Sequence, residues 1–106
     1  MSLTIKNLGE GQLPNAKGTL YTVPAATQAI VREILCTNET AGDLTMNLYA
    51  NFSGTSRRLT PVSVPIPASG QYKWRGVLTL ETGDLVEGDA SVATDVDYII
   101  SGAENA

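Results

Sequence analysis

Leu44-Thr45-Met46-Asn47-Leu48-Tyr49-Ala50-Asn51-Phe52 is the stretch on which the fold turns. Leu44, Met46, Leu48, Ala50 and Phe52 alternate with Thr45, Asn47, Tyr49 and Asn51, so one face meets a core and the other meets water or an interface. This is an antiparallel strand. Upstream, the polar, glycine-containing Glu39-Thr40-Ala41-Gly42-Asp43 is a hairpin turn, and Gln28 to Asn38 form the strand before it. There Ile30, Ile34 and Cys36 fall on one face and Val31 and Leu35 on the other, the pattern of a strand covered twice. Further back, Thr19-Leu20-Tyr21-Thr22-Val23 is rich in β formers and stops at Pro24, which cannot donate to a ladder.

Downstream of Phe52, Ser53-Gly54-Thr55-Ser56 closes the strand and Arg57-Arg58 opens the next segment. Val62, Val64 and Ile66 alternate with Pro61, Pro65 and Pro67, which remove N–H donors along one side and predict a sheet edge. In Gln71 to Leu80, Tyr72, Trp74, Leu78 and Leu80 share a face opposite Lys73, Arg75 and Thr79, with Gly76 at a possible bulge. Leu85-Val86 reads as a short apolar pair, Gly88-Asp89 as a turn, and Val96, Tyr98 and Ile100 as one face of a last strand. The expected core is Leu44, Met46, Leu48, Phe52, Trp74, Leu78, Leu80, Tyr98 and Ile100.

Seven or eight short strands with no helical pattern predict an all-β chain, an antiparallel β-sandwich of jelly-roll type. The sandwich is assigned to residues 18–106. Residues 1–17 show no sustained period and read as an extended N-terminal arm in which Leu3, Ile5, Leu8 and Leu13 lie against a partner. An ordinary first strand of the domain's own sheet stays open as the second reading of that segment. On the arm reading, removal of residues 1–13 leaves the sandwich folded.

The 106 residues make one domain, with 42% hydrophobic and only 17% charged residues. So low a charged fraction fits a surface partly covered by a partner. Seven basic against eleven acidic residues give a net charge of −4, which argues against nucleic acid as a partner. With no histidine and one cysteine, a His-based triad, a Cys/His zinc cage and an internal disulfide framework fall away. No apolar run approaches the ~20 residues of a membrane helix, and the amino terminus lacks a basic-then-apolar signal segment. No membrane partner is expected.

Candidate chemistry is sparse. The acidic runs Asp84-Leu85-Val86-Glu87-Gly88-Asp89 and Asp95-Val96-Asp97 carry oxygen ligands suited to calcium, but Asp beside Gly is ordinary turn chemistry and no metal is assigned. Arg57, Arg58, Lys73 and Arg75 fall within nineteen residues and form the candidate surface for a partner, an acidic protein face rather than nucleic acid. Cys36 reads as a buried thiol, and the sequons at Asn38 and Asn51 are short enough to arise by chance. No catalytic constellation and no cofactor are expected.

The run Gly11-Gln12-Leu13-Pro14 through Lys17-Gly18-Thr19-Leu20-Tyr21-Thr22-Val23-Pro24, with Ala29-Ile30-Val31 and Cys36-Thr37-Asn38, resembles small virion proteins of tailed bacteriophages. Leu78-Thr79-Leu80-Glu81-Thr82-Gly83-Asp84 and Tyr98-Ile99-Ile100-Ser101-Gly102 fit the same pattern. The resemblance implies a non-enzymatic capsid decoration (cement) protein that reinforces the capsid through its arm and sandwich, or else a neck, tail or fibre component. Its implied partners are the major capsid protein or other virion proteins. It also implies a homo-oligomer, a trimer being favoured, and a place in the virion after assembly in the bacterial cytoplasm. A carbohydrate-binding sandwich is the reading from another class, resting on Tyr49 as the one ring the alternation exposes clearly.

Overall fold

The computed structural model describes residues 2–106 and consists of strands and connections. Its strands are β1 (Leu3–Gln12), β2 (Gly18–Thr22), β3 (Gln28–Asn38), β4 (Leu44–Phe52), β5 (Thr55–Arg58), β6 (Val64–Ile66), β7 (Gln71–Leu80), β8 (Leu85–Ala90) and β9 (Val96–Asn105). β4 forms a hairpin with β5, turned through Ser53 (φ 53°) and Gly54 (φ 94°), two left-handed residues that match the twist of the strands they join, whereas the expected hairpin turn at Glu39–Asp43 instead carries the chain from β3 in one sheet to β4 in the other. β6 pairs with β4 alone, at the sheet edge its prolines predict.

The pairing is nested. β1 pairs with β9, β2 with β8, β3 with β7 and β4 with β5 and β6, all antiparallel. β9 also pairs with β3, and β8 with β4. One sheet therefore runs β1-β9-β3-β7 and the other β2-β8-β4-β5 with β6 beside β4. A long hairpin rolled up so that its successive pairs alternate between two facing sheets is a jelly roll, the predicted architecture.

Both sheets contribute to one core, in which Val31, Ile34, Met46, Leu48, Ile66, Leu80, Val86 and Ile100 are fully buried. Of the expected core, Leu44, Phe52, Trp74 and Leu78 are partly buried against this centre, and the rest are inside it.

Three further expectations are corrected. The first concerns residues 3–12, which are β1 of the chain's own sheet, and Leu8 and Leu13 belong to the core at 8% and 0% exposure. An apolar pair so placed cannot reach a partner, and the sandwich is not closed without it. Met1, the first residue of the expected arm, lies outside the described residues. The second concerns β3, whose register shifts between Val31 and Glu33, so that the bulged Arg32 brings Val31 onto the inner face with Ile34 and Cys36 and turns Ile30 outward. The third concerns Gly88-Asp89, which lie inside β8: a Cβ on Gly88 would press on Leu20, Leu48 and the Asn47 carbonyl, so glycine here serves close packing and not a turn.

Candidate interaction surfaces

The outer face of the β1-β9-β3-β7 sheet follows from register and burial. Leu3 and Ile5 on β1 stand beside Asn105 and Ala103 on β9, and Ala103 stands beside Ile30 on β3. Further along, Ile99 on β9 neighbours Leu35 on β3, and Leu35 neighbours Lys73 on β7. Leu3 (67%), Ile5 (91%), Val77 (67%) and Ile99 (45%) are strongly exposed here. The small residues Ser101, Gly102 and Ala103 form the floor of a groove of about 410 Å³ between the ridges of Leu3 and Ile5 on one side and Ile30 and Arg32 on the other.

The eight candidate contact residues divide three ways. Leu3, Ile5, Lys73 and Arg75 share this outer face, with Arg75 Nε 2.5 Å from Glu33 Oε1. Leu8 and Leu13 are in the core. Arg57 and Arg58 are on β5 in the other sheet, so the four cations make no single patch. Tyr72 and Trp74 point inward, opposite Lys73 and Arg75, as the alternation requires.

The outer face of the β2-β8-β4-β5 sheet is a closed polar network. Asn47 Nδ2 donates to Asp89 Oδ1 (2.8 Å), Arg58 Nη1 donates to Asn47 Oδ1 (2.8 Å), and Ser56 donates to Glu87 (2.9 Å). Lys17 and Arg58 lie against the Tyr49 ring, 4.5 and 4.9 Å from its centroid. Burial and the Asp89 carboxylate raise the Tyr49 phenol above its ordinary value, against the pull of Arg58. The ring on which the carbohydrate reading rests is thus half-buried and already covered by cations of its own chain.

No family model matches the chain, and no curated protein matches it. A fold of this kind does recur in a viral structure. A chain in the structure of infectious bursal disease virus Gx strain superposes with a TM-score of 0.52 at 11% identity, over 97% of this chain and 32% of that one. A chain in the structure of the Gt strain gives 0.47 at the same identity and coverage. This chain spans about a third of the length of those chains, and at such identity the likeness is one of fold.

Elsewhere the reactive groups are committed to structure. Asp84 accepts from the backbone N–H groups of Ser53 (3.2 Å) and Glu81 (3.0 Å), and Asp97 accepts from Gln12 (3.2 Å). Among the described residues no three carboxylates, thiols or imidazoles converge as metal ligands would. Cys36 is fully buried and its thiol is pushed up to about 12 by that burial, which leaves it without nucleophilic thiolate. Asn38, equally buried, donates to the carbonyls of Gly42 (2.8 Å), Ile66 (3.1 Å) and Pro67 (3.2 Å) and accepts from Thr40 N–H (2.9 Å). It locks the β3–β4 turn to β6. The sequence shows this asparagine only as a chance sequon, because the partners that tie it to β6, the carbonyls of Ile66 and Pro67, lie far along the chain.

Proposed function

We propose that this is a non-enzymatic structural protein of a virus particle, seated on its neighbours through the outer face of the β1-β9-β3-β7 sheet. The observation that carries the reading is the contrast between the two outer faces. One is a satisfied polar network, while the other exposes Leu3 and Ile5 along an apolar groove and Ile99 and Val77 elsewhere on the same face. Scattered exposed apolar residues are ordinary, whereas a contiguous set on one face marks an interaction site.

Four strands about 4.8 Å apart, each with about ten residues rising ~3.3 Å, span roughly 600 Å². That approaches the ~800 Å² per partner of a standard interface. Lys73 on the β7 side gives such a seat a cationic border group suited to an acidic neighbour, while Arg75 beside it is paired with Glu33 of its own chain. The jelly roll shared with a chain of the bursal disease virus structure supports a virion setting, and the resemblance to small phage virion proteins supports the finer reading of a capsid decoration protein. Many weak seats over one particle give strong attachment by avidity.

A reconstruction of the intact particle tests this. Hundreds of copies on the shell, each with the Leu3–Ile5–Ile99 face against a neighbour, are expected. A ring-sized number at the neck or tail selects the other structural position. Absence from the particle overturns the virion reading, and a copy seated with this face in solvent overturns the surface.

A further inference from the structure

β1 ends its sheet, and among the described residues no strand of that sheet lies beyond it. Which of its backbone groups face that free edge follows from one reciprocal pair. Ser2 N–H donates to Ala106 O (2.9 Å) and Ala106 N–H donates to Ser2 O (3.2 Å). Bonded and non-bonded pairs alternate along an antiparallel ladder. With Thr4 opposite Glu104, Ile5 opposite Ala103 and Lys6 opposite Gly102, the peptide groups of Thr4 and Lys6 turn toward β9. Those of Leu3, Ile5 and Asn7 turn outward, and all five residues from Leu3 to Asn7 are exposed.

Open edges invite pairing, and the other edges of this molecule are blunted. β6 carries Pro65, β5 has only four residues, the five-residue β2 shifts register at Leu20, and β7 breaks register at Gly76 and Val77 opposite Arg32. Leu3–Asn7 has no such device. It contains no proline, its bulge comes only at Leu8, and its one charge, Lys6, is taken up by its own Glu104 at 2.9 Å.

We infer that Leu3–Asn7 is a self-association edge, pairing antiparallel with the same segment of a second copy about a two-fold axis at Ile5. Ile5 is the middle of the five exposed residues, so this centre uses all of them. Ile5 then faces Ile5 with both backbone bonds made, Leu3 faces Asn7, and Thr4 faces Lys6. No like charges stand directly opposite. A centre at Lys6 would oppose two ammonium groups, and one at Asn7 would carry the ladder into the bulge. The apolar row Ile30–Ala103–Ile5 continues into its own mirror order across the axis, which makes the contact isologous and closed. Five residues of edge bury little area, so the dimer in free solution is weak and dilution separates it. The pairing is independent of any place in a virion.

Charge-swap variants of the whole chain test it by sedimentation equilibrium. The wild type should dimerise with rising concentration. Ile5→Lys and Ile5→Asp should each raise the dissociation constant at least about tenfold, because each sets like charges face to face. Both should keep the wild-type circular dichroism and melting, since the Ile5 side chain is 91% exposed. An equimolar mixture of the two should recover the dimer, because residue 5 meets residue 5 in this register. A wild type that stays monomeric up to about millimolar concentration overturns the edge. Single variants that dimerise as well as the wild type overturn it too, and folded variants whose mixture stays monomeric overturn the Ile5 centre.

Discussion

Gly102 lies where β9 passes the Arg32 bulge of β3, and a Cβ placed on it would run into the Ile30 carbonyl. That oxygen is part of a central strand and cannot retreat without opening the ladder between β3 and β9. Gly102→Ala should therefore cost about 3 kcal/mol in chemical denaturation, the upper range for overpacking. Gly42→Ala, with nothing within 4 Å of its Cβ, should stay within about 0.5 kcal/mol and serves as the control. Equal stabilities for the two variants would mean that β9 does not approach β3 so closely. The sequence shows Gly102 only as one glycine near the end of a strand. Its necessity arises from a bulge seventy residues away, and periodicity within a segment carries no such long-range information.

At the scale of elements, strands whose side chains keep strict alternation were legible, and those interrupted by a bulge were not. β4 and β7 show their inner faces directly, and the prolines of β6 announce an edge. In β3 the extra residue Arg32 reverses the parity of Ile30 and Val31 relative to Ile34. In β1 the register shift between Asn7 and Gly9 moves the inner face from even to odd positions, so that Leu8 and Leu13, of opposite parity, both turn into the core while Leu3 and Ile5 face outward. No two-residue count survives that step, which is why the segment reads as an arm. The outer-face site was half legible for the same reason: Leu3 and Ile5 stand out as apolar, but Ile30 and Ile99 join them only through the β1-β9-β3 register. The physical consequence reverses the expectation for truncation. Removing residues 1–13 deletes Leu8 and Leu13 from the core and strips β9 of one neighbour, so the truncated chain should lose its cooperative thermal transition. A truncated protein melting cooperatively within a few degrees of the intact one would restore the arm.

For the molecule as a whole, nested pairing makes the first and last strands partners, so the sandwich is closed by contacts between its most distant segments. One carboxylate ties that closure to the facing sheet. Glu104 on β9 accepts from Tyr21 Oη of β2 (2.6 Å) and from Lys6 Nζ of β1 (2.9 Å). The Tyr21 hydrogen bond, and next the Lys6 ammonium, hold the Glu104 carboxyl below the usual carboxylate range. A carboxyl lowered on folding contributes stability that is complete above its unfolded value and is lost as pH falls through the folded one. At the far end of the sheet the Glu39 carboxyl is raised by its hydrogen bond to Asp97 and by that neighbour's charge, and its contribution has the opposite sign, falling away as pH rises through its folded value. The two effects separate by substitution. Glu104→Gln keeps a side chain of the same size but removes the titrating group, so its melting temperature should fall less steeply than the wild type's below about pH 4.5. Amides of β1 and the end of β9 should lose hydrogen-exchange protection first in the acidified wild type, because Lys6 and Tyr21 release the strand pair when Glu104 is protonated. An acid limb unchanged in Glu104→Gln would show that closure of the first and last strands does not depend on this carboxylate and rests on their backbone ladder, Leu8 and Leu13.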